Sequence, residues 1–151
     1  TRLLEMAMDR NERPGHQLGD LILEHTADAI IYSNRQGMIE RWNVAAAAMF
    51  GYTAPEALGQ GLDLIIPEHL RAAHWRGFEA AMASGTTRLH GRPTLTRALH
   101  KSGSKLYVEM SFALVVDVAG AVLGSVAMAR DVTERMERER MSAKGVAQGK
   151  P

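Results

Sequence analysis

Apolar and polar positions follow two rhythms along this chain, and the switches between them mark out the elements. Leu3, Leu4, Met6, Ala7 and Met8 have helical spacing, and Asn11-Glu12-Arg13-Pro14-Gly15 is expected to break that helix. Leu18, Leu21, Ile22 and His25 resume it, at intervals of three, one and three. Asp28–Ser33 is β-branched and aromatic and reads as a strand. Asn34-Arg35-Gln36-Gly37 is a turn, and Met38–Trp42 alternates as the returning strand. Asn43 offers a side-chain cap to a helix over Val44–Phe50, which Gly51-Tyr52 ends. Thr53 caps a short helix with Pro55 and Glu56 in its first turn, running to Leu58, and Leu62–Ile66 reads as a single helical turn.

The longest helical pattern spans Pro67–Gly85. Proline suits a first turn and glycine the position just past a helix end. Leu70, His74, Phe78, Ala81 and Met82 fall at spacings of four, four, three and one, so they share a face, while Arg71, Arg76 and Glu79 lie largely opposite. After Gly85 the rhythm becomes extended. Thr86–Leu99 is expected to be a strand region broken at Gly91 and Pro93, followed by a turn at Lys101–Ser104. In Lys105–Val116 strict alternation puts Leu106, Val108, Met110, Phe112 and Leu114 on one face. Val122–Ala129 is the last strand, Met136–Met141 starts a charged helix, and Ser142–Pro151 reads as a disordered tail. Strands at both ends with helices between them make an α+β domain on one five-stranded antiparallel sheet, with the helices covering one face and any pocket lying between.

The 151 residues suffice for one domain. A net charge of +1, with no basic stripe, gives no electrostatic case for nucleic acid. No apolar run is long enough for a membrane span, and Thr1 onward has no secretory hydrophobic core, so a cytoplasmic setting is expected. Cysteine is absent, which removes disulfides, thiolate metal sites, cysteine nucleophiles and thiol–flavin chemistry together. Nine methionines suit a pocket lining as well as a core. No nucleophile–base pair or phosphate loop is visible, so the chain is not expected to be an enzyme. His69 and His74 would point about 140° apart on a helix, and His16, His25, His90 and His100 read as surface or turn residues.

His74 is different, because it sits mid-face on an apolar helix with Ala73, Gly77 and Ala81 beside it. Two readings stand: a core histidine with a hydrogen-bond partner, or an imidazole aimed at a flat apolar cofactor that needs small neighbours.

Read in order, several pieces resemble the PAS family of sensor domains over roughly Leu21–Arg135. They are Asp28-Ala29-Ile30, Gly37-Met38-Ile39, Trp42-Asn43-Val44-Ala45-Ala46, Phe50-Gly51-Tyr52, Gly59, Ile65-Ile66-Pro67, Lys101-Ser102-Gly103-Ser104 and Arg130-Asp131-Val132-Thr133-Glu134-Arg135. The resemblance implies a division into cap or dimer helices at 1–20, the PAS domain at 21–135, and the start of an output helix with a flexible tail at 136–151. The helix ending Met82-Ala83-Ser84-Gly85 is similar to the proximal helix of the haem-binding PAS domains of the FixL type, which implies haem b with His74 as the iron ligand. It also implies a diatomic gas ligand (O2, CO or NO) or redox sensing, a homodimer through the terminal helices, and a downstream signalling domain or protein.

By the same resemblance Leu89, Met110 and Phe112 form the distal wall, Leu70 and Phe78 flank the cofactor on the His74 face, and Arg88 falls at a propionate contact. Thr94 stands where the oxygen-sensing members place an arginine, with Arg92 and Arg97 a register away. A donor from Arg92 or Thr94 would favour oxygen, and a wall without one carbon monoxide or nitric oxide. The thioether of Met110 is either core packing or a sixth ligand, and Arg88 either a carboxylate partner or a solvated edge residue. The blue-light flavin form of the family, in its usual chemistry, needs a reactive cysteine and is excluded. A haem-free domain that binds another small ligand, or serves only as a dimerisation relay, is the alternative.

Overall fold

Five strands form one antiparallel sheet in the order β2-β1-β5-β4-β3. They are β1 (Ala29–Asn34), β2 (Ile39–Trp42), β3 (Thr94–Leu99), β4 (Lys105–Val116) and β5 (Val122–Asp131). A computed structural model describes residues 14–149, so the helix expected over Leu3–Met8 lies outside the described residues. The helices are α1 (Pro14–His25), α2 (Val44–Phe50), α3 (Ala54–Ala57), α4 (Glu68–Ser84) and α5 (Thr133–Gln148), with a 3-10 turn at Leu62–Ile65 between α3 and α4. The α+β architecture expected from the chain is the one found. Strand alternation divides the sheet into an inner face carrying Ile31, Val108, Met110, Ala127 and Ala129, all buried, and an outer face.

Local chemistry sets the helix ends. Asn43 is extended and its side chain accepts the Ala46 N–H, starting α2. Thr53 and Glu56 form a reciprocal capping box on α3. The Lys101 ammonium bonds the same Glu56. That ammonium, with the Thr53 N–H and hydroxyl behind it, holds the Glu56 carboxyl down to about 2. Helix α4 stops where Gly85 turns to φ 73° and returns its N–H to the Ala81 carbonyl. Beneath α2 the core closes on Phe50, whose ring is 5.5 Å from that of Trp42. The Trp42 indole N–H donates to the Tyr52 carbonyl at 2.9 Å.

Three expectations need correction. The second helix starts before Leu18: Pro14 and Gly15 open α1, because a first helical turn asks nothing of a proline N–H, and whether the chain breaks ahead of them lies outside the described residues. The region after Gly85 does not start a strand: Arg88–Gly91 is a turn, with His90 at φ 49° and Gly91 at φ 77°, and β3 begins only at Thr94. Ser142–Gln148 is no loose tail, since α5 runs through it. Ala143, Lys144, Ala147 and Gln148 are good helix formers and carry it past Ser142 and Gly145, and the stretch buries no residue.

One glycine decides how closely β1 and β5 approach. A Cβ on Gly124 would stand 2.0 Å from the Ser33 carbonyl oxygen. Gly124→Ala is therefore expected to cost about 3 kcal/mol, since the two strands must part to accept it. Urea unfolding checks this, and an unchanged midpoint would show that the strands separate freely.

Candidate functional site

Helix α4 runs over the inner face of the sheet without closing on it. Of its 17 residues only Met82 is buried. Between helix and sheet lies a cavity of about 390 Å³, within the usual range for small-molecule sites. The helix contributes a continuous stripe: Leu70, Ala73, His74, Gly77, Phe78, Ala81 and Met82. These are successive positions three and four apart, so one face supplies the whole wall. The sheet contributes Ile31, Met110, Phe112 and Ala127 from its middle strands, and Thr94, Thr96 and Ala98 from β3. The 3-10 turn adds Leu62 and Ile65, and the loop after α4 adds Thr87, Arg88 and Leu89.

Two side chains hold α4 at this stand-off. Trp75 lays its ring over Gly37, where a Cβ would come within 2.3 Å, and its indole N–H donates to Asp63 Oδ1 at 2.7 Å. Arg71 donates to the Ile66 carbonyl at 3.0 Å. Both grips are on the N-terminal half of the helix, whereas Ala73, Gly77 and Ala81, which are too small to reach the sheet, leave the space open.

Every site residue expected from the sequence lies on this one cavity: His74, Arg88, Leu89, Thr94, Met110, Phe112, Phe78 and Leu70. Thr94 and Met110 are cross-strand partners on the inner face. Met110 is 6% exposed and belongs to the core cluster as well as to the cavity wall. Arg88 is solvent-exposed at the rim. The other two arginines are differently disposed. Arg92 stays on its own loop, donating to the Leu89 carbonyl at 3.2 Å, and does not line the cavity. Arg97 borders the cavity, but it pairs with Tyr107 and sets its guanidinium 5.6 Å from the centre of that ring, on the outer side of the sheet. Alternation enforces this, since Thr94, Thr96 and Ala98 take the inner positions of β3.

The imidazole of His74 is half-buried between Trp75 and Phe78, with ring centres 4.9 and 6.1 Å away. Its Nδ1 is buried with no hydrogen-bond partner. A core histidine ordinarily has such an atom satisfied. Burial pushes its pKa down, and the Asp63 carboxylate only partly offsets this, so the ring is neutral at pH 7 and can act as a Lewis base. Stability should follow. An unfolded chain takes up this proton near pH 6.5, while the folded one resists it, so stability is lost as the pH falls from there through the depressed folded value. Urea midpoints between pH 7.5 and 5.5 should fall more in the wild type than in His74→Gln; equal slopes would remove His74 from the effect.

Ser125, Thr96 and Leu114 on the sheet, with Thr87 in the loop, also line the cavity and were not singled out from the sequence. The alternation of β4 had already put Leu114 on the face of Met110 and Phe112; Ser125 could have been found only from the pairing of β5 with its neighbours. Among the described residues no three His, Asp or Glu side chains are grouped to hold a bare metal ion, and no helix is long and apolar enough to cross a membrane.

A family model described as the PAS fold matches residues 17–132. The oxygen sensor protein DosP of Escherichia coli is 27% identical over 117 residues, covering 78% of this chain and 14% of that protein. The sensor protein FixL of Bradyrhizobium diazoefficiens is 36% identical over 53 residues, 35% of this chain and 10% of that one. A crystal structure of a PAS domain from Colwellia psychrerythraea superposes with a TM-score of 0.68 at 20% identity, covering 78% of this chain and 97% of that one. The chain belongs to the PAS family, whose fold is the α+β arrangement described above. It spans only 10% to 20% of the length of the curated relatives it matches.

Proposed function

We propose that this domain is a sensory module that holds b-type haem through His74 and reports a diatomic gas or the redox state to an output helix or partner. One observation carries the reading. A neutral imidazole with an unsatisfied, buried nitrogen stands in the wall of an apolar cavity, flanked by residues too small to obstruct a flat ligand. A single histidine cannot hold a bare ion, so any iron here must bring its own chelating ring. The residues present fit that group. Ala73, Gly77 and Ala81 leave a planar space, Leu89, Met110 and Phe112 provide an apolar opposite wall, and Arg88 at the rim suits a carboxylate. The haem iron supplies the gas-binding and one-electron chemistry; the chain's part is to ligate through a neutral ring, exclude water and set the polarity of the facing wall. The relatives named above as an oxygen sensor and a sensor protein support the same class of role.

In this reading residues 21–135 form the sensing unit. The leucines of α1, Leu18 and Leu21, are more than half exposed and serve a second copy of the chain. Helix α5 carries the signal onward. It leaves the sheet beside Tyr107, whose N–H donates to Thr133 Oγ1 at 3.0 Å and whose hydroxyl accepts from Arg140 at 2.5 Å. No step in this role is catalytic.

Absorption spectra during titration of the purified domain with hemin test the proposal. A sharp Soret band that saturates at one hemin per chain supports it. In the reduced protein, a six-coordinate spectrum that becomes five-coordinate in Met110→Leu would assign the thioether as a second ligand. Absence of a specific band would overturn the haem reading and leave a PAS domain that binds another small ligand or acts as a relay.

A further inference from the structure

The cavity wall is mostly apolar, and one of its few polar groups has a defined polarity. Ser125 on β5 lines the cavity, and the Ser125 and Ser33 hydroxyl oxygens are 3.2 Å apart. The register pairs these two residues directly, and the adjacent pair is Asn34 with Gly124. Since Gly124 has no side chain, β1 and β5 close at this point and the two hydroxyls are held against each other.

A bond between two hydroxyls can run either way, and the surroundings decide which. Ser33 is 1% exposed, and among the described residues its hydroxyl has no other partner. If Ser125 donated, the Ser33 proton would be stranded in a dry site with no acceptor, which is the costly arrangement. If Ser33 donates, both protons are accommodated. The Ser125 oxygen accepts, and its own O–H is left free on the side of the cavity.

We propose that Ser125 is the hydrogen-bond donor that the sheet presents to the ligand, giving its O–H to an oxygen acceptor of the bound molecule, with Ser33 as the residue that orients it. This deepens the haem reading and rests on it for the identity of the ligand. The acceptor is a ligand oxygen, from a carboxylate of the flat cofactor or from the diatomic gas. The alternation of β5 places Ser125 on the same inner face as Ala127, opposite the helix that carries His74.

The test compares wild type, Ser125→Ala, Ser125→Thr and Ser33→Ala. If the acceptor is a carboxylate, Ser125→Ala weakens hemin binding about tenfold, the worth of one such bond, and leaves the C–O stretch of the reduced carbon monoxide complex in place. If the acceptor is the gas, hemin affinity holds and the C–O stretch shifts. Ser125→Thr, which keeps the hydroxyl, follows the wild type in both. Ser33→Ala keeps the donor but frees its rotation and gives a smaller change of the same kind. Ser125→Ala with both readouts unchanged overturns the proposal. Proton NMR of the ligand-free domain supplies an independent arm. A slowly exchanging Ser33 hydroxyl proton is expected, and a protected Ser125 proton donated to Ser33 overturns the assignment even if the wild type takes up no hemin, a result that would by itself defeat only the haem reading.

Discussion

Replacing His74 by alanine is expected to abolish the specific hemin band while leaving the fold intact. The two halves of this expectation have separate causes. A direct iron ligand is worth more than the outer partners whose loss weakens a metal site by about 10–100-fold, so hemin affinity should fall by more than about 100-fold. Stability should change by no more than about 1 kcal/mol, because the lost contacts with Trp75 and Phe78 are offset by two gains. One is removal of a buried nitrogen that has no partner, and the other is the better helix propensity of alanine. Free imidazole added to His74→Ala should restore part of the band, since the small residues alongside leave it a path. His69→Ala is the control. His69 is solvent-exposed, does not line the cavity, and should bind hemin as the wild type does. A band that survives in His74→Ala would remove His74 as the ligand, whatever else the cavity holds.

How far this site could be read from the residues depends on how local each signal is. The face of α4 was legible in full, because Leu70, His74, Phe78, Ala81 and Met82 sit on one helix and the 3.6-residue period alone aligns them. The inner face of β4 was legible for the same reason with a period of two. The caps at Asn43, Thr53 and Gly85 use atoms within four residues of themselves, and all three form. The loop after α4 was misread because Thr86 and Thr87 carry β-branched side chains, while the turns there are set by His90 and Gly91 at positive φ. The opposite ends of the chain were misjudged in the same direction. Pro14-Gly15 and Ser142–Lys144 contain residues that can break helices or cap them, and composition alone does not say which. The sheet side of the cavity was least legible. Ser125 acquires its meaning from Ser33, 92 residues away, and the direction of the Arg97 guanidinium at the cavity edge is fixed only by its cross-strand partner Tyr107. The fold class follows from local patterns; the polarity of the cavity follows from strand register, which no local pattern encodes.

Asn43 shows the same limit in a single residue, and it carries the largest expected loss of stability. From the sequence it is a helix cap. In the structure it joins three elements. Its side-chain oxygen accepts the Ile30 N–H at 2.9 Å and the Ala46 N–H at 3.0 Å, so one atom both starts α2 and completes β1. Its amide nitrogen lies 2.9 Å from the Leu23 carbonyl, 2.9 Å from Thr26 Oγ1 and 3.0 Å from the Asp28 carbonyl, which ties the end of α1 to the sheet. The residue is 4% exposed, so water cannot replace these bonds. Asn43→Ala loses the cap, worth about 1 kcal/mol, and leaves the Ile30 N–H buried and unpaired, at about 1–3 kcal/mol. With the α1 tie also gone, a loss on the order of 4 kcal/mol is expected in urea unfolding, a large share of what holds a domain of this size together. Asn43→Ser keeps an oxygen for the cap but lacks the amide donors, so it should recover about 1 kcal/mol of the loss. Asn43→Asp keeps the acceptor yet turns a carboxylate toward the Leu23 and Asp28 carbonyls, and should be no better than alanine. A loss below about 1 kcal/mol in Asn43→Ala would mean that the junction of α1, β1 and α2 is held by packing alone, and that α1 can leave the sheet without disturbing it.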